Sequence, residues 1–268
     1  MHCKNCGTQL FENSDYCHTC GAKVIRNRLT FKSICAEVNH YFFNLDNKLL
    51  KTLIHLFTKP HQVTISYIEG TRKKYVDVIQ YFAISLTLVG IQVFLMNTFF
   101  KDALDMSDLY TDSLKDLPNQ KENPFSAENM DVEKVNNYQS LIYVLSVPIS
   151  AFSTWMAYYI VGERRYNFTE HIVINLYYSA QIIIVSAVLS ILFLVCGGNY
   201  LVISVFVSIL TFAYLFYVLH RVFEASFLES FARFLLIGLV YAIIIGITII
   251  VLAVIVYFLG YQTGLNSP

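Results

Sequence analysis

The sequence predicts an all-α polytopic membrane protein with a small polar head, and three observations carry the prediction. Of 268 residues, 56% are hydrophobic and only 14% charged, whereas a soluble domain is nearer one quarter charged. The charges are clustered: residues 1–77 hold 17 of them, residues 101–139 hold 13, and all other positions hold 8. Five windows, 78–100, 140–161, 172–195, 201–219 and 235–260, contain no Asp, Glu, Lys or Arg. Each reaches the ~20 apolar residues a helix needs to cross ~30 Å of hydrocarbon. A helix also satisfies its own backbone hydrogen bonds in lipid. The composition argues against extended disorder, a nucleic-acid protein built on bulk positive charge, and a secreted disulfide mini-protein.

The head opens with Cys3-Lys4-Asn5-Cys6-Gly7 and closes with Cys17-His18-Thr19-Cys20-Gly21. Each Cys-x-x-Cys turn aims two sulfurs at one point, and two such turns make a closed four-sulfur site that suits structural Zn2+. Redox dithiols and an iron–sulfur site are the competing readings; a reducing cytoplasm disfavours stable disulfides. The ligands are Cys3, Cys6, Cys17 and Cys20, with His18 as an alternative. A closed site leaves no open position for catalysis. Residues 1–24 are therefore read as a zinc ribbon. Four thiolates leave the knuckle without a basic surface, which argues against nucleic acid and suits a knob for a cytoplasmic or membrane protein partner. A staple with no partner is the alternative. Cys35 and Cys196 stand alone and are read as packing residues.

Residues 30–77 read as cytoplasmic amphipathic helices. Phe31, Ile34, Val38, Tyr41 and Phe42 recur at helical spacing. Asp46 can cap a second helix that carries Leu49, Leu50, Leu53, Ile54 and Phe57, which Lys59-Pro60 breaks. A third short segment stops at Gly70. Lys48, Lys51, Arg72, Lys73 and Lys74 are placed at the membrane surface, near anionic headgroups. Packing on one another or on the ends of the spans is the alternative. The motifs Phe43-Asn44-Leu45-Asp46, Leu56-Phe57-Thr58-Lys59-Pro60 and Tyr67-Ile68-Glu69-Gly70-Thr71-Arg72-Lys73-Lys74-Tyr75 resemble the bacterial membrane family known as domain of unknown function 3667. With the cysteine ribbon, the resemblance covers residues 3–80. It implies a bacterial inner-membrane protein with a zinc ribbon, and it supplies no catalytic residue.

Residues 78–268 form the expected membrane domain. Arg72, Lys73 and Lys74 precede the first window, Arg164 and Arg165 lie between the second and third, and Arg221 and Arg233 lie between the fourth and fifth. Five spans put all these on one side, and the positive-inside rule makes it the cytoplasm. The amino terminus is then inside, and the carboxyl terminus and the 101–139 loop, with a net charge of −5, are outside. The loop's Asp105, Asp108, Asp112 and Asp116 fall on one helical face and read as a solvated stripe. Tyr158, Tyr159, Tyr177, Tyr178 and Tyr257 cluster near span ends, and an aromatic belt accounts for the outermost of them. Phe223, Phe227, Phe231 and Phe234 suggest one interfacial helix over residues 221–234, or a bent continuation of the fourth span.

No nucleotide loop, dinucleotide fingerprint, zincin motif or nucleophile elbow is present, so the expectation is a protein that is not an enzyme. His171 and Glu170 read as interfacial. Gln92, Asn175 and Gln181 are the polar span residues, able to hydrogen-bond across helices. Two functions remain open. One is a membrane scaffold or adaptor whose ribbon docks a partner. The other is a transporter or channel for a small or apolar solute. A homo-oligomer is compatible with either.

Overall fold

The computed structural model describes residues 1–26, 30–32, 44–100, 136–198 and 200–265. Of the predicted helix over 30–43, residues 33–43 lie outside them, as do Cys35 and the acidic stripe. The chain divides into two compact units, Met1–Asn47 and Lys48–Pro268. Among the described residues are seven helices and no strand beyond two isolated bridges. The helices are α1 (Asn44–Thr58), α2 (Pro60–Ile68), α3 (Val78–Phe99), α4 (Gln139–Ile160), α5 (Phe168–Val195), α6 (Tyr200–Phe223) and α7 (Phe227–Leu265). The last five are long and apolar enough to cross a membrane, so the fold is all-α and polytopic.

In the larger unit, α5 is the central helix. It buries residues on several faces, Ile174, Tyr177, Tyr178, Gln181 and Ile183 among them. The stripe of α3 that faces inward is Val78, Tyr81, Ser85, Val89, Gln92 and Met96, the mixed three- and four-residue spacing of a helix–helix seam. At 22 residues, α3 is ~33 Å long, whereas α5, at 28, spans ~42 Å. Tyr177, about two and a half turns into α5, donates to the Val76 carbonyl just before α3 at 2.8 Å. The first turns of α5 thus stand clear of α3. The short helices take up this space, and α2 packs against both α5 and α6.

Pro60 ends α1 because it cannot extend the ladder, and it starts α2 at the first-turn position where its missing N–H costs nothing. The last carbonyls of a helix have no partner of their own, and α6 supplies partners for α1. The hydroxyls of Tyr214 and Tyr217 donate to the Leu56 and Thr58 carbonyls, each at 3.1 Å. We expect Tyr214→Phe, which orphans a buried carbonyl, to cost about 1–3 kcal/mol. A lowered unfolding midpoint in detergent reads it, and an unchanged midpoint contradicts it.

The sequence windows and the helices differ at several ends, the starts of α5 and α7 among them. α5 begins at Phe168, before the window at 172, because Asn167 and Glu170 close a capping box: Asn167 Oδ1 accepts from the Glu170 N–H at 3.0 Å, and Glu170 accepts from the Asn167 N–H at 2.7 Å. α3 begins at Val78, as its window does, capped by Asp77, whose carboxylate accepts from the Ile79 N–H at 3.0 Å. α7 begins at Phe227, well before 235, with the Ser226 hydroxyl 3.4 Å from the Glu229 N–H. The expected single helix over 221–234 is therefore divided. Phe223 ends α6 and stacks on Tyr158, while Phe227, Phe231 and Phe234 of α7 surround Phe216 edge-on.

The turn from α4 to α5 and the turn from α6 to α7 meet at one end of this unit. There Arg233 bonds to Glu229, lies 3.8 Å from Glu163 and sits over the Tyr158 ring. Arg164 and Arg165 lie in the first of these turns and Arg221 in the last turn of α6, so this end carries the arginines of the bundle, with Glu163, Glu170, Glu224 and Glu229 among them. The tyrosines depart from the expected belt. Tyr158, Tyr177 and Tyr178 are buried. Tyr159 alone of the described four is exposed, with the Arg164 guanidinium 4.6 Å from its ring. Cys196 is exposed at the end of α5 and does not pack as expected.

Candidate metal centre

The amino-terminal unit folds as two matching knuckles. In the first, the Cys3 N–H donates to the Thr8 carbonyl at 2.8 Å and the Gly7 N–H donates to the Cys3 carbonyl at 2.9 Å. In the second, Cys17 and Ala22 repeat the first bond and Gly21 and Cys17 the second, at the same distances. Gly7 and Gly21 have φ of 73° and 69°, left-handed values that a residue with a Cβ resists. This turn lets a backbone amide double back on its cysteine, and it is why each motif reads Cys-x-x-Cys-Gly.

The two turns bring the ligand atoms of Cys3, Cys6, Cys17 and Cys20 within 4.8 Å of one another. Cys3 Sγ lies 3.7 Å from Cys20 Sγ, and Cys6 Sγ lies 3.6 Å from Cys17 Sγ. All four are free thiols, and Cys3 and Cys17 are buried while Cys6 and Cys20 face outward. The Thr8 hydroxyl, 3.2 Å from Cys6 Sγ, is the leading cause that holds the Cys6 thiol down to about 6. The Asn5 side chain lowers Cys20. Thiolates rather than thiols bind metals, so these neighbours favour the ligating form at Cys6 and Cys20, whereas Cys3 is shifted upward. The set could bind a metal ion: four soft donors converge with no other ligand type among them. His18 takes no part; its ring lies 6.1 Å from that of Phe11.

Among the described residues of this unit, little besides the sulfurs holds it together: the buried ones are Cys3, Leu10 and Cys17, with Ala22 and Val24 packed against them. Arg26 clips the second knuckle, donating to the Glu12 and Ser14 carbonyls at 3.1 and 2.6 Å and to Asp15 at 3.2 Å. Phe11, Tyr16 and Ile25 remain exposed at 78%, 61% and 58%.

The polar span residues divide into two kinds. Gln181 is fully buried and joins three elements: Tyr81 of α3 donates to its Oε1, and its Nε2 donates to the Leu53 carbonyl of α1 at 3.2 Å. Asn175 joins α4 to α5, accepting from Ser150 at 2.7 Å and donating to Thr154 at 2.9 Å. Gln92 is buried too, but its amide meets only Met96 of its own helix, 3.6 Å away. His171, expected at the interface, is 1% exposed and lies 3.2 Å from the Thr154 hydroxyl. It is enclosed by Tyr158 and Phe223.

The basic residues assigned to the surface are exposed at Lys48, Arg72, Lys73 and Lys74 and half-buried at Lys51. Three sit on aromatic rings: Arg72 is 3.7 Å from the Tyr67 centroid, and Lys51 and Lys74 are 5.9 and 5.2 Å from that of Tyr75. The Tyr75 hydroxyl lies 2.8 Å from His55 Nδ1. Burial first, then Lys51, pushes this histidine below the ordinary imidazole range, so it is neutral at pH 7.

Residues 46–90 match the family described as Protein of unknown function (DUF3667). The resemblance read from the sequence is borne out over those residues, which run from α1 into α3. Neither the curated proteins nor the solved structures include a match. The matched segment contains the α1–α2 corner and the Leu53, Leu56 and Thr58 carbonyls that the bundle caps. It leaves out the four cysteines.

Proposed function

We propose that the chain is a bacterial inner-membrane adaptor, not an enzyme, in which Cys3, Cys6, Cys17 and Cys20 hold a structural Zn2+ and the knuckle pair docks a protein partner. The observation that carries this reading is a closed four-thiol set in a unit whose apolar Phe11, Tyr16 and Ile25 stay exposed. Bound zinc would supply folding energy and nothing catalytic, since four cysteines fill a tetrahedral site. Large exposed apolar side chains on a small rigid knob suit the anchoring role that aromatic residues play at interfaces. The end of the bundle that carries its arginines marks the cytoplasmic side, by the positive-inside rule, which counts Lys and Arg. The knuckles then face the cytoplasm, and the carboxyl terminus lies outside.

The pairing of Gln181 and Asn175 speaks for a rigid body over a solute path. Both amides are committed to structural partners, and a path needs polar groups free to meet a solute. The membrane body then serves as the anchor.

Cross-linked co-purification from native membranes tests the proposal. We expect a discrete partner with the wild type, reduced at least about tenfold in a Cys3→Ser/Cys6→Ser variant whose membrane body still inserts and folds, a loss of ~1.4 kcal/mol or more. Equal recovery with both proteins overturns the docking role and leaves the knuckles as a staple.

A further inference from the structure

One cleft in the larger unit is not used by the adaptor reading. It lies where the α1–α2 corner meets the turn from α6 to α7, and His61, His220, Arg221, Glu224 and Ala225 line it. His61 Nδ1 is buried and has no hydrogen-bond partner. His220 is held in place, with Nδ1 2.9 Å from the Ser230 hydroxyl and its ring stacked on Phe216. Arg221 and Glu224 are exposed, and neither enters an ion pair among the described residues.

Glu224 is the most informative of these residues. Its N–H donates to the His220 carbonyl at 3.1 Å and closes α6. Its φ of 51° makes it the one non-glycine residue with a left-handed backbone among those described. Helices commonly end in this conformation on glycine. The chain instead carries a carboxylate there, against local backbone preference and on the wall of a cleft, and such outliers concentrate at binding sites.

The charges select the ligand. A bare phosphate suits Arg221 and an imidazole N–H but meets repulsion from Glu224. A simple cation meets the reverse. A group with an anionic phosphodiester and a primary ammonium a few ångströms apart satisfies both. Burial, and after it Arg221, keeps His61 below the ordinary imidazole range; as a neutral ring it still has one N–H to donate. The cleft also sits at the ends of two apolar helices. Phe227 and Leu228, in the first turn of α7 just after the cleft residue Ala225, are exposed, a surface on which acyl chains can lie.

We infer that this cleft binds the aminoalkyl-phosphate headgroup of a phospholipid, with the phosphodiester on Arg221 and His61 and the ammonium on Glu224. His220 is a positioning residue at its wall.

The test uses the full-length protein in micelles that contain equal amounts of phosphatidylethanolamine, phosphatidylglycerol and phosphatidylcholine, with retained lipid read by native mass spectrometry. The wild type is expected to retain the ethanolamine lipid about tenfold over the other two, since a charge-assisted hydrogen bond from a primary ammonium is available to neither. Glu224→Gly keeps the backbone and removes the carboxylate, so its folding is not at stake; its preference over phosphatidylglycerol is expected to vanish. Arg221→Gln is expected to lose retention of all three. Millimolar glycerophosphoethanolamine separates the sources. Displacement of the lipid means that a free headgroup compound suffices, and retention means that the acyl chains are required. Equal retention of the three lipids by the wild type overturns the inference, as does an undiminished ethanolamine preference in Glu224→Gly.

Discussion

Cys17→Ser is expected to unfold the amino-terminal knuckles and leave the membrane body intact. Cys17 is 2% exposed and lies 3.6 Å from Cys6, so with the proposed zinc site the change removes a ligand and a packing residue together. The remaining core is Cys3 and Leu10, with Ala22 and Val24 against them, far too little apolar burial to order some twenty residues. Structural zinc in such units is worth about 10–16 kcal/mol at neutral pH, and loss of one ligand forfeits most of it. The readout is hydrogen exchange. In the wild type the amides of Leu10 and Val24, bonded to the Met1 and Asp15 carbonyls, are expected to be protected. In Cys17→Ser both exchange at the rate of an unfolded chain, while the unfolding midpoint of the larger unit stays where it was. Persisting protection of Leu10 and Val24 would show that the knuckles hold together without the metal.

Gln181→Leu is expected to produce the largest loss in the membrane body. Leucine nearly preserves the volume, so the effect is polar. The substitution strips the Tyr81 hydroxyl of its acceptor and the Leu53 carbonyl of its second donor. The Tyr81 hydroxyl is fully buried, where an unsatisfied polar atom costs about 1–3 kcal/mol, while the part-buried Leu53 carbonyl keeps its helical bond. The loss falls on the docking of α1 to α3 and α5. Tyr81→Phe removes the orphaned hydroxyl, so the double variant should recover part of the loss. A double-mutant cycle in detergent checks this. Simple additivity of the two changes contradicts the pairing.

The sequence was legible where the signal is local or strongly one-sided. Cys-x-x-Cys-Gly fixes its own turn through the glycine, so the convergence of four sulfurs could be read from spacing alone. The apolar windows located five helices because charge is costly in a hydrocarbon core. Helix ends were less legible for the same reason. A window drawn to avoid charge stops short of Glu170 and Glu229, yet both lie in first turns, and Asn167-Phe168-Thr169-Glu170 and Ser226-Phe227-Leu228-Glu229 carry the spacing of a capping box. Those two motifs were the available signal for the starts of α5 and α7.

The buried tyrosines were the least legible part. In a membrane chain a tyrosine near a span end suits an interfacial belt as well as a core, because its ring is apolar and its tip polar. Tyr177 and Tyr214 are core residues because their hydroxyls cap backbone carbonyls that lie 101 and 158 residues away in sequence. No local pattern encodes partners at that separation. His171 is similar: the sequence places it at the edge of a span, and only the packing of Thr154, Tyr158 and Phe223 around it makes it a core residue.

The central claim is a closed, sulfur-only zinc centre on a membrane-embedded body, and metal analysis of the purified full-length protein tests it most directly. Elemental analysis with X-ray absorption at the zinc edge should give one zinc per chain, bound by four sulfurs at about 2.3 Å. Protein purified without zinc, with Cys3, Cys6, Cys17 and Cys20 oxidised in pairs or holding iron, would contradict it.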